Sequence, residues 1–345
     1  MLLQITHDTH YRYQPAVETA QHMAYMQPCS HATQVLLDHS LLINPLPAQT
    51  RSMNDVYGNT RCFFSLQVPH AELSVVAHSL VATQSSPEVQ SSIAWDKVRE
   101  AFRYRAGAPF DAASEFLFPS PFVPRHSEFE AYARPSFGCG VGLLAGTIEL
   151  MQRIHADFTY ASQSTQINTP ALQALEQRKG VCQDFSHIMI ACLRTLGLPA
   201  RYVSGYLLTQ PRPGEQRLLG SDASHAWVSV YLPDLPDGAR WCDFDPTNQR
   251  WGWHAPGEDY ITVATGRDFG DVSPLRGVIH GGASHTLTVG VTVQAANETF
   301  ATPDTGPSLW QSQSSSQSQS QSESQSSSQS QSQSQGADLP IRSAS

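Results

Sequence analysis

The first 86 positions carry short runs in which apolar and polar residues alternate or apolar residues cluster. THYRYQ alternates, SLLINPLP is a brief apolar run stopped by prolines, and DVYGNTRCFFSLQV sets a Gly-Asn turn before an apolar segment. ELSVVAHSLVAT adds a β-branched run. Several short strands at this spacing predict a β-rich, sandwich-like or barrel-like N-terminal domain over residues 1–86. SSPEVQSS, residues 85–92, reads as a linker. Beyond it the period lengthens: IAWDKVREAFRYR brings Ile93, Trp95, Val98 and Phe102 towards one helical face, and GLLAGTIELMQRIHADF predicts a helix of ordinary length. The stretch between them, residues 107–140, is rich in proline, glycine and aromatics and predicts a packed connection with short helical pieces. In TPALQALEQRKG, Thr169 has the place of an N-cap, Pro170 the first helical position and Gly180 the stop.

GVCQDFSHIMIACLRTLGLPARYVSGYL holds the clearest helix. Phe185, Ile188, Met189, Cys192 and Leu196 recur at intervals of three and four, which predicts one buried face. Gly197 stands where a helix end takes its left-handed residue, and Pro199 stops continuation. From Arg201 the period drops to two. RYVSGYLL, HAWVSVYL and RWCDFDPTN are three candidate strands, with DYITVAT and SHTLTVGVTVQA after them. Helices followed by strands within one unit predict an α+β core over residues 87–296, in which the helix packs on an antiparallel sheet. Residues 297–345 form a tail, almost wholly Ser and Gln between Gln311 and Gln335, whose composition predicts disorder.

Charge and cysteine content then exclude several partners. The formal net charge is −9, and no stripe of Lys and Arg offers a surface to nucleic acid or to an anionic membrane. The N-terminus lacks the basic and long apolar regions of a signal peptide, and no run approaches the roughly 18 apolar residues of a membrane span, so a cytoplasmic location is expected. The six cysteines (29, 62, 139, 182, 192 and 242) contain no C-x-x-C pair, and the early histidines (7, 10, 22, 31, 39, 70 and 78) lack ligand spacing. Neither a disulfide framework, a metal nor a cofactor is therefore expected, and those histidines are read as surface or strand-face residues.

Cys182 is the cysteine with a chemical setting. Gly180 lets the chain turn sharply into the helix and leaves Cys182 on its first turn, beside unpaired backbone N–H groups and the positive end of the helix dipole. Both favour a thiolate, and the same N–H groups can hold an oxyanion. Cys192, deeper on the apolar face, has the setting of a core residue. A nucleophilic thiol needs an imidazole and a group to orient it. His225 leads an apolar strand, and Asp245 ends the next one before Pro246, so antiparallel pairing can make the two neighbours. Asp243 shares the sheet face of Asp245 by period two and stays open as the third member; Asp245 is preferred because it adjoins the turn.

RKGVCQDFSHIMIACLRTLGLPARYVSGYL, ASHAWVSVYL and WCDFDPTN together resemble the transglutaminase-like superfamily, within the papain-like group of thiol enzymes. THYRY, DVYGN and PHAELSV resemble the β-rich N-terminal domain of its bacterial members, and GRDFGDVSPLRGVIHGG the segment after the core motifs, so the likeness spans roughly residues 1–295. It implies Cys182 as nucleophile, His225 as general base and acid, and Asp245 as the orienting carboxylate. A protein or peptide substrate is implied with them, along with acyl transfer to an amine or water; a hydrolase or a non-catalytic binding module on the same fold remain the alternatives. Gln183, Asp184 and His187 also fit the helix motif, with Asp184 and His187 one turn apart and able to pair. Trp227 shares the strand face of His225, as a core residue or as a cleft wall. One departure is AYMQP, residues 24–28, which stands where relatives often carry a basic residue. No acidic loop of the EF-hand type is present, so the calcium dependence of animal transglutaminases is not expected.

Overall fold

The computed structural model describes residues 1–296 except 87, 89, 108, 162–166, 210–223 and 283. The expected disordered tail lies outside the described residues, as does part of the 85–92 linker. No helix among the described residues is long and apolar enough to cross a membrane.

The chain is of mixed α+β class. It opens with β1 (Leu2–Ala24), β2 (Gln34–Asn44), β3 (Gln49–Asn54), β4 (Thr60–Leu66) and β5 (His70–Thr83), which form one antiparallel sheet in the order β2-β5-β1-β4-β3. α1 (Trp95–Ala101), α2 (Ser127–Ala133) and α3 (Leu143–Asp157) lead, through the two-residue β6 (Thr159–Tyr160), to α4 (Ala171–Gln177) and β7 (Lys179–Gly180). The core then follows: α5 (Cys182–Thr195), β8 (Ala200–Leu207), β9 (Ser224–Tyr231), β10 (Trp241–Asp245), β11 (Arg250–Trp253) and β12 (Tyr260–Gly266). Its five strands stand in the order β11-β10-β9-β8-β12. A short α6 (Phe269–Val272) precedes β13 (Leu275–Gly281) and β14 (Ser284–Ala295).

These last two strands leave the core and pair with β1, β14 along Leu3–Gln14 and β13 along Val17–Ala24. β1 is 23 residues long, so it has edge enough for β5 and β14 along its first half and for β4 and β13 along its second. The β5 and β13 pairings shift register between Arg12 and Thr19, and the buried face changes there. Buried Tyr11 and Tyr13 before the shift, and Ala20 and Ala24 after it, all enter the domain's own apolar cluster. The likeness to a sandwich thus resolves into one curled sheet, with residues 275–295 contributed from the far side of the core.

α5 runs through the main apolar cluster. Phe185, Ile188, Met189, Cys192 and Leu196 are all buried, packed with β9 in one cluster that extends to Leu3, Ile5 and Val293 of the N-terminal sheet. Burying a side chain of this size contributes about 1.5–3 kcal/mol, so the helix is anchored by its packing rather than by intrinsic propensity. Gly197 takes φ +81°, and the N–H groups of Gly197 and Leu198 donate to the carbonyls of Arg194 and Leu193 at 3.0 Å each, a Schellman ending.

One local expectation changes. α4 begins after Pro170, which acts as its N-cap, and ends at Arg178 with φ 53° rather than at Gly180. Arg178 accepts that backbone because its guanidinium lies over the Tyr132 and Phe158 rings, 4.3 and 4.9 Å from their centroids. Of the early histidines, His7, His22 and His70 are strand-face residues of β1 and β5, and they are buried. Burial lowers the pKa of His7 and of His22 to about 4, so both are neutral imidazoles; His7 Nδ1 meets the Tyr206 hydroxyl at 2.9 Å and His22 stacks on Phe64.

Candidate active site

Cys182 is the first residue of α5, and Val181 is the N-cap. The turn before it is held by Asp184, whose carboxylate accepts from the Val181 N–H at 2.8 Å. Gly180 is needed for that contact: a Cβ there would stand 2.7 Å from both Cβ and Oδ2 of Asp184. On the other side, β6 and β7 pair in parallel, and the Ala161 N–H donates to the Gly180 carbonyl at 2.9 Å. The nucleophile candidate therefore sits on a turn braced from both flanks, with first-turn N–H groups directed out of the helix. Gln183 Nε2 donates to the Ile167 carbonyl at 3.1 Å.

His225 is the second residue of β9, paired with Gly205 on β8. Its Nε2 lies 2.7 Å from Asp245 Oδ2, and Cys182 is near enough to the ring to raise its pKa. Nε2 is engaged by the carboxylate, which leaves Nδ1 for the thiol. Burial by itself would lower the pKa of His225; the Asp245 carboxylate, with Cys182, overrides it and raises the value to about 10. The imidazolium is therefore the favoured state at neutral pH.

Asp245 is fully buried and accepts five hydrogen bonds. Oδ1 takes the N–H groups of Thr247 (2.8 Å) and Asn248 (3.2 Å), and Oδ2 takes His225, Asn248 Nδ2 (2.7 Å) and the Tyr260 hydroxyl (2.7 Å). Burial raises a carboxyl pKa, but His225 and the Asn248 and Tyr260 donors outweigh it and hold Asp245 below its ordinary value. The DPTN turn thus makes an anion receptor out of its own backbone, and His155 of α3 pins it from outside, its Nδ1 3.0 Å from the Thr247 carbonyl.

The two aspartates have different partners. Asp243 pairs with Ser229, and its Oδ2 accepts from Trp227 Nε1 at 2.8 Å. Burial raises its pKa, against the Ser229 and Trp227 bonds and the charge of Arg201. It therefore serves the tryptophan, and Asp245 serves the histidine. Trp227 is fully buried, its ring edge-on to Tyr260 at 5.4 Å and 6.1 Å from His225. It underlies the histidine and does not wall an open cleft.

Asp184 and His187, expected as a possible pair, have other partners. Asp184 holds Val181, while His187 Nε2 accepts from the Phe269 N–H at 3.2 Å and its ring stacks on Phe122. Burial lowers the pKa of His187 to about 3, so it is a neutral packing group. Cys192 is wholly buried, with its thiol pKa pushed far up by desolvation. Among the described residues, no group of three or more His, Cys, Asp or Glu side chains is placed to hold a metal ion.

Three site residues escaped the sequence reading. Asn248 lies inside the quoted DPTN but carried no assigned role there. Tyr260 opens β12 and gave no local signal. Tyr160, half-exposed and edge-on to Phe185 of α5, has its phenol pKa raised to about 12 by desolvation and by the Cys182, Asp184 and Asp245 charges.

Known proteins share this arrangement of parts. Residues 3–82 match the family described as the bacterial transglutaminase-like N-terminal region, and residues 144–246 match the transglutaminase-like superfamily core. An uncharacterized protein of Mycobacterium tuberculosis is 38% identical over 291 residues, covering 82% of this chain and 89% of the relative. A protein-glutamine gamma-glutamyltransferase of Pseudomonas aeruginosa is 31% identical over 104 residues, 29% of this chain and 15% of that protein. The solved structure named "Putative Cysteine Protease" from Cytophaga hutchinsonii superposes with a TM-score of 0.65 at 23% identity, over 87% of this chain and 92% of its own, a likeness of fold. With both matched regions present in order, the chain belongs to the transglutaminase-like superfamily, in the bacterial group that carries this N-terminal region.

Proposed function

We propose that the protein is a thiol acyl-transfer enzyme acting on a protein or peptide carbonyl. The observation that carries this reading is the juxtaposition of a first-turn cysteine with an imidazole whose other nitrogen is bonded at 2.7 Å to a buried carboxylate. The Cys182 sulfur attacks an amide carbon, forming the C–S bond while the carbonyl π electrons move to oxygen. First-turn N–H groups of α5 receive the oxyanion. As the C–N bond breaks, His225 gives its Nδ1 proton to the leaving amine, and a thioester remains on Cys182. Water or a second amine then attacks the thioester, losing its proton to His225, and the sulfur leaves as thiolate. Asp245 keeps the ring oriented and supports its positive charge throughout.

The acceptor divides a transglutaminase from an amidase or peptidase, and the name of the Pseudomonas relative supports an amine acceptor. Incubating wild type and Cys182→Ala with a peptide library, with and without a primary amine, and weighing the products tests the reading. Amine-linked product marks transamidation, and released acid marks hydrolysis. If neither product depends on Cys182, the proposal fails and a binding module on this fold takes its place.

A further inference from the structure

β12 is an edge strand of the core sheet, so one side of its backbone needs partners from elsewhere. The N-terminal domain supplies them with two side-chain amides. Gln34 Nε2 donates to the Thr262 carbonyl at 2.8 Å, and the Thr262 N–H donates to Gln34 Oε1 at 2.8 Å. Asn59 does the same one step along: its Nδ2 donates to the Thr265 carbonyl and its Oδ1 accepts from the Thr265 N–H, both at 2.8 Å. A carboxamide offers one donor and one acceptor, as a peptide group does, so each side chain acts as a one-residue strand partner. Outward-facing residues on an edge normally alternate by two. Thr262 and Thr265 both face outward because the register against β8 shifts between Thr262 and Ala264.

Both amides are themselves held. Gln34 is buried and also donates to the Cys29 carbonyl at 2.6 Å. Asn59, in the DVYGN segment, is oriented by Asp55, whose carboxylate takes its N–H at 2.9 Å and its Nδ2 at 2.8 Å. Tyr260 lies two residues before Thr262 and is buried; its ring is edge-on to Trp227 and capped by the Arg250 guanidinium, which Asp259 grips through two 2.6 Å bonds. These packing contacts fix the ring sideways, and the amide pairs fix the strand lengthwise. A slip of one residue would carry the hydroxyl about 3.3 Å, beyond reach of Asp245.

We propose that the N-terminal domain is a positioning part of the site: the amides of Gln34 and Asn59 clamp the outer edge of β12 and so deliver the Tyr260 hydroxyl to Asp245. This rests on Asp245 serving His225 in the proposed reaction. Among the described residues, Asp245 is hydrogen-bonded by His225 from β9, Tyr260 from β12 and Asn248 from its own turn, and it feels the charges of Arg250 from β11 and Tyr160, while Cys182 acts on it through His225. Tyr260 is the one among them whose donor reaches Asp245 from the clamped strand.

The test is a pH titration of the full chain by NMR, following the downfield proton of the His225 Nε2–H···Asp245 bond, assigned by its loss in Asp245→Asn. Its acid midpoint reports protonation of Asp245. Tyr260→Phe removes one donor to the carboxylate and raises that midpoint by about one pH unit. Gln34→Met raises it by a comparable amount, and the double substitution goes no further, because the amide acts through the hydroxyl. Should Gln34→Met be too unstable to titrate, Asn59→Ala provides the same comparison. A clamp variant that lowers the melting temperature while leaving the midpoint at the wild-type pH would overturn the proposal, as would additive shifts in the double variant. The titration needs no substrate, so a missing Cys182-dependent product would sink the acyl-transfer reading and still leave this measurement decisive.

Discussion

Replacing Asp245 by Asn keeps the shape of the site and removes the carboxylate charge that faces His225 Nε2. The wild-type bond of 2.7 Å and the carboxylate charge raise the imidazole to about 10 against burial. Without them burial is opposed only by the smaller pull of Cys182, and the imidazole pKa falls well below its wild-type value. A folded-state pKa raised from 6.5 to about 10 adds stability that is fully present below pH 6.5 and is lost as pH rises through about 10. The wild-type chain should therefore lose stability relative to Asp245→Asn across that window, by about 1.4 kcal/mol per pH unit at most. A constant offset is superposed on this slope. Each of the five donors to Asp245 meets an amide instead of a carboxylate, and the Asn NH2 must face at least one of them, which costs about 1–3 kcal/mol at any pH. Urea unfolding of both proteins at several pH values between 6 and 10 separates slope from offset. The reasoning is refuted if the difference in unfolding free energy stays flat across the window, because Asp245 would then not be holding the imidazolium.

Other substitutions test neighbouring parts. Gly205→Ala should destabilise the fold by about 1–3 kcal/mol, since a Cβ there meets the Ile261 carbonyl and stands 2.5 Å from Trp227 Cη2; a melting temperature within error of wild type would contradict this. Gly180→Ala should slow alkylation of Cys182 by about tenfold or more while the chain stays folded, because Asp184 must move and release the Val181 N–H; an unchanged rate would show the turn to be tolerant. His187 is neutral, with its pKa at about 3, so His187→Gln should leave the pH dependence of Cys182 alkylation between pH 5 and 8 unchanged, and a displaced profile would mean that His187 carries charge there. Prolonged dialysis against a chelator should leave Cys182-dependent product formation unchanged; loss restored by a divalent cation would place a metal in the reaction.

Legibility in the sequence followed the range of the contacts. α5 was readable because the positions that define its face are local, and the same residues are buried in the main cluster. The Gly197 ending was readable for the same reason. The order of His225 and Asp245 followed from antiparallel pairing, but the choice against Asp243 did not. Period two places both aspartates on one face, and only the position of Trp227 on the neighbouring strand separates their tasks. Tyr260 donates to Asp245 across 15 residues, Asn59 reaches Thr265 across 206 and Gln34 reaches Thr262 across 228; no pattern within a window of one helix or strand encodes such contacts. The placement of β13 and β14 beside β1 was hidden for a related reason, since their alternation marks them as strands without naming the sheet they join.

Acyl transfer at this site requires Cys182 to be an activated thiol. Its most direct test is the rate of alkylation of each of the six cysteines in the native protein at pH 7, read by peptide mass. Cys139 is exposed and Cys182 only partly so, so simple accessibility would favour Cys139. Cys182 should react first, and His225→Ala should abolish its advantage. Modification of Cys139 with Cys182 left untouched, in a chain that remains folded, would contradict it.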